Sequence, residues 1–219
     1  MHFRYVRLQA PAHAHDALSE FYEQRLELPG LRIGETELEL VSGEGEPFYH
    51  FALLVPGNRF EAAFDWIGDR AELLPDRETG ETVFDFENWD AHGCYFHDPA
   101  GNIVELVAHH RIDPSDATGP FAGSELLGVS EVGLVGDRAA MAAVLRVVLQ
   151  MPLWQGSAEE EGRLAFVGEP GRTLILAPTG RGWLPTGRPA EKHPVEAVLS
   201  DPPSRAVVLE GGLYRISRA

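Results

Sequence analysis

The chain places one carboxylate in an apolar strand. Ile103-Val104-Glu105-Leu106-Val107 is otherwise a run of strand-forming apolar residues, and alternation puts Glu105 on one face with Ile103 and Val107. An unpaired carboxylate is costly to bury, so Glu105 requires a cation, hydrogen bonds or solvent. Groups that could work with it stand nearby in sequence: His92, Tyr95 and His97 upstream, and His109-His110 downstream. His50 opens a second apolar run, His50-Phe51-Ala52-Leu53-Leu54-Val55, and Tyr5 and Glu39 lie nearer the N-terminus. Imidazoles and carboxylates ligate borderline divalent metals, and they move protons near neutrality. Taken singly, each residue has a plainer reading. His50 can be a hydrogen-bonded core histidine, Glu105 a solvated carboxylate, Tyr5 and Tyr95 structural aromatics, Glu39 one of a solvated pair with Glu37, and His92 a loop histidine. No Walker-type loop, Rossmann fingerprint or Gly-x-Ser-x-Gly elbow is present.

The elements that must position these groups repeat along the chain. Phe3 to Ala10 reads as a strand leading into a helix over about 12–27, with Leu18, Phe21, Tyr22 and Leu26 at helical spacing and Pro29-Gly30 ending it. Thr36 to Val41 alternates as a half-buried strand. The pattern restarts with a strand over Phe48–Val55, an N-cap at Asn58 and a helix face of Phe60, Phe64 and Ile67. Strands over Thr82–Glu87, Gly93–Phe96 and Ile103–Ala108 follow. Asp98-Pro99-Ala100-Gly101 has the composition of a type I turn that delivers the chain into the Glu105 strand. Residues 113–124 have linker composition. A third copy begins at Val129–Val135, with Asp137 as N-cap, a helix face of Met141, Val144, Leu145, Val148 and Leu149, and strands near Leu164–Val167 and Thr173–Ala177. After about Pro194 only strand patterns remain, so the fourth copy lacks its helix. Arg181 to Pro189 reads as an ordered loop whose aromatic and arginines could cover a cavity.

Composition limits the partners. Asp and Glu outnumber Lys and Arg 34 to 18 in 219 residues, a net charge of −16, which argues against nucleic acid and anionic membrane surfaces. Cys94 is the only cysteine, so no internal disulfide forms, and no stretch is apolar enough for a membrane span or signal. A cytoplasmic protein binding a small molecule is expected, and a homodimer is left open.

An aromatic strand, an Asp-Pro-x-Gly-Asn turn and a Glu-bearing strand (Tyr95 to Leu106) resemble the end of a domain of the vicinal-oxygen-chelate superfamily, which includes glyoxalase I, extradiol dioxygenases and bleomycin-binding proteins. His50-Phe51-Ala52-Leu53-Leu54-Val55 resembles that family's His-x-Ala-φ-x-Val strand. The resemblance implies an α+β fold of tandem βαβββ units in curled mixed sheets: a complete domain over 1–112, a linker over 113–124 and a degenerate domain over 125–219. It implies metal ligation by His50 and Glu105, converging from opposite units on the floor of a cup. Glu39 stands where glyoxalase I has a fourth ligand, and Tyr5 occupies the first-strand ligand position. Tyr95 matches an active-site tyrosine of the dioxygenases; His92 is a candidate substrate contact, and Glu105 or Glu39 a proton carrier. In the C-terminal half Glu131 replaces a first-strand ligand, and Ile175 and Ile216 replace both carboxylates, so that half is expected to hold no metal. Three functions stay open: an enzyme using Fe, Mn, Ni or Zn on a substrate that chelates through vicinal oxygens, acting as a lyase, isomerase or ring-cleaving dioxygenase; a bleomycin-resistance-like protein that sequesters an aromatic compound or antibiotic; and a structural or regulatory protein whose cavity is vestigial.

Overall fold

The computed structural model describes residues 1–219. The first unit comprises β1 (Phe3–Pro11), α1 (His15–Ser19), β2 (Arg32–Ile33) and β3 (Thr36–Gly43). A 3-10 turn over Ala12–Ala14 precedes α1 and a wider π turn over Glu20–Arg25 follows it, so the helical stretch buries Leu18, Phe21 and Tyr22 as the spacing predicts. The second unit comprises β4 (His50–Leu54), α2 (Phe60–Gly68), β5 (Phe84–Phe86), β6 (Ala91–His97) and β7 (Ile103–His109). The third comprises β8 (Gly128–Val135), α3 (Arg138–Leu149), β9 (Leu153–Gly156), β10 (Ala165–Glu169) and β11 (Arg172–Ala177). A hairpin of β12 (Gly182–Trp183) and β13 (Arg188–Pro189) then precedes β14 (Val195–Leu199), β15 (Arg205–Leu209) and β16 (Tyr214–Arg218), the copy without a helix.

Two large sheets result, and each takes strands from both sides of residues 113–124. The first and fourth units form the order β15-β16-β14-β1-β3-β2, while the second and third form β5-β6-β7-β4-β8-β11-β10-β9. In the larger sheet β4 runs parallel to β7, β8 runs parallel to β11, and the two halves join through the antiparallel pair β4–β8. Alternation divides the side chains of this sheet. Phe51, Leu53, Val104, Leu106, Val132 and Leu174 enter the main core with α2 and α3, whereas the other face curls into a cup that carries the polar groups.

Capping follows local chemistry. The Asp137 carboxylate accepts the Ala140 N–H at 3.0 Å and caps α3. Asn58 does not cap α2. It exchanges hydrogen bonds with the Ser115 backbone, both at 2.8 Å, and so ties the linker to the second unit. No helix is long and apolar enough to cross a membrane.

The β6–β7 turn is held by a buried network. Asp98 accepts from the Tyr22 hydroxyl (2.8 Å), the Asn102 side-chain amide (2.7 Å), and the N–H groups of Ala100 (2.9 Å) and Asn102 (3.0 Å). Asn102 Oδ1 accepts the N–H of Tyr49 at 2.8 Å, the residue before His50. Gly101, at φ 76°, donates to the Asp98 carbonyl at 2.9 Å and closes the turn in a conformation that favours glycine. The network therefore fixes the start of β4 against the start of β7. Asp98→Ala leaves several buried donors unpaired and is expected to cost about 3 kcal/mol in denaturant unfolding, against about 1 for Tyr22→Phe; equal, small losses would show that the network does not set the register.

Candidate metal centre

Three side chains meet on the concave face of the larger sheet: His50 from β4, Glu105 from β7 and Glu131 from β8, all buried, with one ligand atom from each lying within 4.8 Å of the others. Register explains the meeting. Ala52 pairs with Glu105 on one side and with Glu131 on the other, so the two glutamates flank a residue too small to fill the space between them. His50 precedes Ala52 by two positions on the same face. Gly93, across the sheet on β6, leaves room as well: a Cβ there would lie 2.6 Å from Glu105 Oε1 and 3.0 Å from the Phe86 ring.

The electrostatics follow from burial. His50 Nδ1 lies 3.1 Å from the Ile103 carbonyl, which can only accept, so Nδ1 carries the proton and Nε2 presents a lone pair. That lone pair faces Glu105 Oε2 at 3.6 Å. Burial lowers the His50 pKa to about 4, so the imidazole is neutral at physiological pH. Burial pushes Glu131 up to about 8 and, with the charge of Glu131 added, lifts Glu105 well above the carboxylate range. Only weak donors approach: Thr173 Oγ1 at 3.4 Å from Glu131, and the Tyr95 phenol opposite Glu105 in register. Three acceptors thus converge with almost nothing to donate to them. A neutral imidazole and two carboxylates fit a borderline divalent cation such as Fe, Mn, Ni or Zn, which would supply the missing positive charge.

Several sequence expectations are corrected. His50 and Glu105 come from adjacent parallel strands of one unit, not from opposite units. The opposite wall is built by the C-terminal half, which contributes Glu131 and was expected to hold no metal; the signal was present in sequence as a glutamate at a first-strand ligand position. Tyr5 and Glu39 lie on the smaller sheet, where the Tyr5 hydroxyl donates to Glu39 and Arg7 pairs with Glu39 at 3.1 Å. They bond each other and do not join His50 and Glu105. His92 stands three positions from Tyr95 on β6 and so points through the other face, where it stacks on Phe60 of α2 and meets His110 at 2.6 Å. His97 is exposed at the end of β6, beside the Asn102 carbonyl. Tyr95 lies on the site face, buried against His50 and Phe84.

The hairpin after β11 closes the cup. Trp183 packs on His50 with ring centroids 5.0 Å apart, its edge resting where Gly133 has no side chain. Arg188 fastens the hairpin by covering the Phe48 ring and donating to the Gly101 carbonyl at 3.1 Å. Beneath it remains a cavity of about 50 Å³, walled chiefly by Phe86, Trp89, Phe166 and Trp183.

No protein-family model and no curated protein matches the sequence. Solved structures match in shape. A proposed dioxygenase from Bacillus subtilis superposes over 100% of this chain and 85% of its own, at 14% identity and a TM-score of 0.57. Glyoxalase I from Zea mays superposes over 90% of this chain and 74% of its own, at 13% identity and a TM-score of 0.51. The chain has the vicinal-oxygen-chelate fold. The α+β architecture of curled sheets expected from the motifs is therefore the one observed.

The buried carboxylates make the metal-free protein sensitive to pH. Groups with raised folded pKa stabilise fully below their unfolded value and lose that contribution as pH rises through the folded one. His50 acts in the opposite sense but is neutral in both states above about 6.5. Chelator-treated protein is therefore expected to lose on the order of 5 °C in Tm between pH 6.5 and 8.5, and less in Glu131→Gln. A divalent metal should abolish the fall, and an identical fall in Glu131→Gln would exclude Glu131 as its source.

Proposed function

We propose that this chain is a divalent-metal-dependent enzyme acting on a small molecule that presents two adjacent oxygens. The observation that carries the reading is the buried His50, Glu105 and Glu131 cluster, whose acceptors converge with few donors at the floor of the cup. An ion held by these three residues would supply Lewis acidity toward vicinal oxygens. His50 is suited to hold it through Nε2, because its Nδ1–H is anchored on the Ile103 carbonyl. Glu105 and Glu131 are also the groups able to take or return a proton beside the bound oxygens, since burial has raised both carboxyls, Glu131 to about 8. Tyr95 positions Glu105, its phenol lying across the strand pair from the carboxylate. Trp183 excludes water from above. Pockets for small ligands generally run from about 300 Å³ upward, so substrate entry requires the β12–β13 hairpin to move off the 50 Å³ cavity.

Protein purified without a metal-affinity step is expected to carry close to one equivalent of Fe, Mn, Ni or Zn by elemental analysis. His50→Ala and Glu131→Gln should each weaken retention by about 10–100-fold. Metal-free protein that binds an aromatic compound with an affinity unaltered in His50→Ala would replace this reading with that of a sequestering protein.

A further inference from the structure

We infer that Arg181 is the anion-recognition residue of this site, and that the substrate is an organic acid bearing a carboxylate in addition to its vicinal oxygens. The inference rests on the metal-centre reading above and deepens it.

Beside the 50 Å³ cavity lies a second, wider hollow of about 640 Å³. Phe86, Trp89, Leu164, Phe166 and Arg181 border both spaces, so these five residues form the partition between solvent and the His50–Glu105–Glu131 cluster. Four of them are apolar or aromatic. Arg181 is the one charged group in the partition, and it forms no ion pair, although acidic residues outnumber basic ones 34 to 18. Its hydrogen bonds go to carbonyls: Nε to Gly162 at 3.1 Å and Nη1 to Gly182 at 2.8 Å. Neither bond neutralises the guanidinium. Arg138, close enough to oppose the charge of Arg181, is held by the carbonyls of Ser157 and Arg163 and also lacks a carboxylate partner. The carboxylates on the hollow, Asp85 and Glu87, are exposed. Charge balance points the same way. A divalent ion would cancel Glu105 and Glu131 while His50 is neutral, which leaves the unpaired positive charge of Arg181, the one cation bordering the cavity, for the substrate. A guanidinium with unengaged N–H groups is suited to a planar carboxylate, and the Phe86, Trp89 and Phe166 rings suit the apolar body between the two ends.

The test uses Zn(II)-loaded protein, with catechol and 3,4-dihydroxybenzoate as probes: one oxygen pair, without and with a carboxylate. Binding is read from tryptophan fluorescence, because Trp89 and Trp183 wall the cavity. The acid is expected to bind at least about ten-fold more tightly than catechol, a difference of about 1.4 kcal/mol. Arg181→Gln should abolish the preference without altering Zn content or catechol affinity, and Arg181→Lys should restore part of it. Equal affinities, a preference that survives Arg181→Gln, or no binding of either probe to Zn-loaded protein overturns the assignment and leaves the metal centre standing. Failure to take up Zn(II) overturns the metal centre, and the Arg181 inference with it.

Discussion

The centre of this molecule depends on three lone-pair acceptors held face to face out of water. Two ionised carboxylates and a neutral imidazole repel unless a proton or a cation lies between them, and a folded chain keeps such an arrangement only where the surrounding structure over-determines it. Here that over-determination is visible. Ala52 and Gly93 keep the space above the strands open. The Asp98–Asn102 network locks the beginning of β4 to the beginning of β7, and the Ile103 carbonyl selects the tautomer of His50. Each device is apolar, small or fully hydrogen-bonded, so none of them supplies a positive charge to the cluster.

The pairing of units gives the two sheets different fates. The second and third units meet through β4 and β8, so the cup and its Glu131 wall exist only because the chain on both sides of the linker joins one sheet. The first and fourth units meet through β1 and β14, and their polar face has been neutralised internally: Glu39 is satisfied by Tyr5 and by Arg7, which also reaches Glu196 at 3.8 Å. A carboxylate with an arginine beside it requires no metal. The two faces carry similar residue types and differ in two respects: the Glu39 pair is solvent-exposed with its counter-charge built in, whereas His50 and Glu105 are buried without one.

Much of this was legible in the sequence. Periodicity and turn chemistry located most strands, the α3 cap at Asp137, the missing fourth helix and the Glu105 strand. The misplaced metal ligands share one cause: sequence gives the face a residue points to within its own strand, but not which strand lies next to it. Adjacency in the folded sheet decides that Glu131 stands across Ala52 from Glu105 and that Tyr5 and Glu39 find each other instead. His92 is different. Its separation from Tyr95 by an odd number of strand positions already placed the two on opposite faces, and counting by two excludes it without any structure. Ile175 and Ile216 offer no ligand atoms, but one glutamate in a neighbouring strand, Glu131, was enough to bring the third unit into the cluster.

Burial also determines how this centre would respond to a cation. Because the His50 imidazole is neutral with its proton on Nδ1, Nε2 need lose nothing to become a ligand. The carboxylates behave differently. Raised by burial, and in Glu105 also by the charge of Glu131, they retain a proton near neutrality until a stronger positive charge displaces it. Ion uptake is then coupled to proton release through Glu105 and Glu131, and the affinity rises with pH over the range in which the metal-free fold weakens. Trp183 sets the strength of this coupling, since the water it excludes would otherwise screen the charges and return the carboxyls toward their ordinary values. The hairpin that closes the cup and the acid strength of the groups beneath it are therefore one property of the fold: loosening the first relaxes the second.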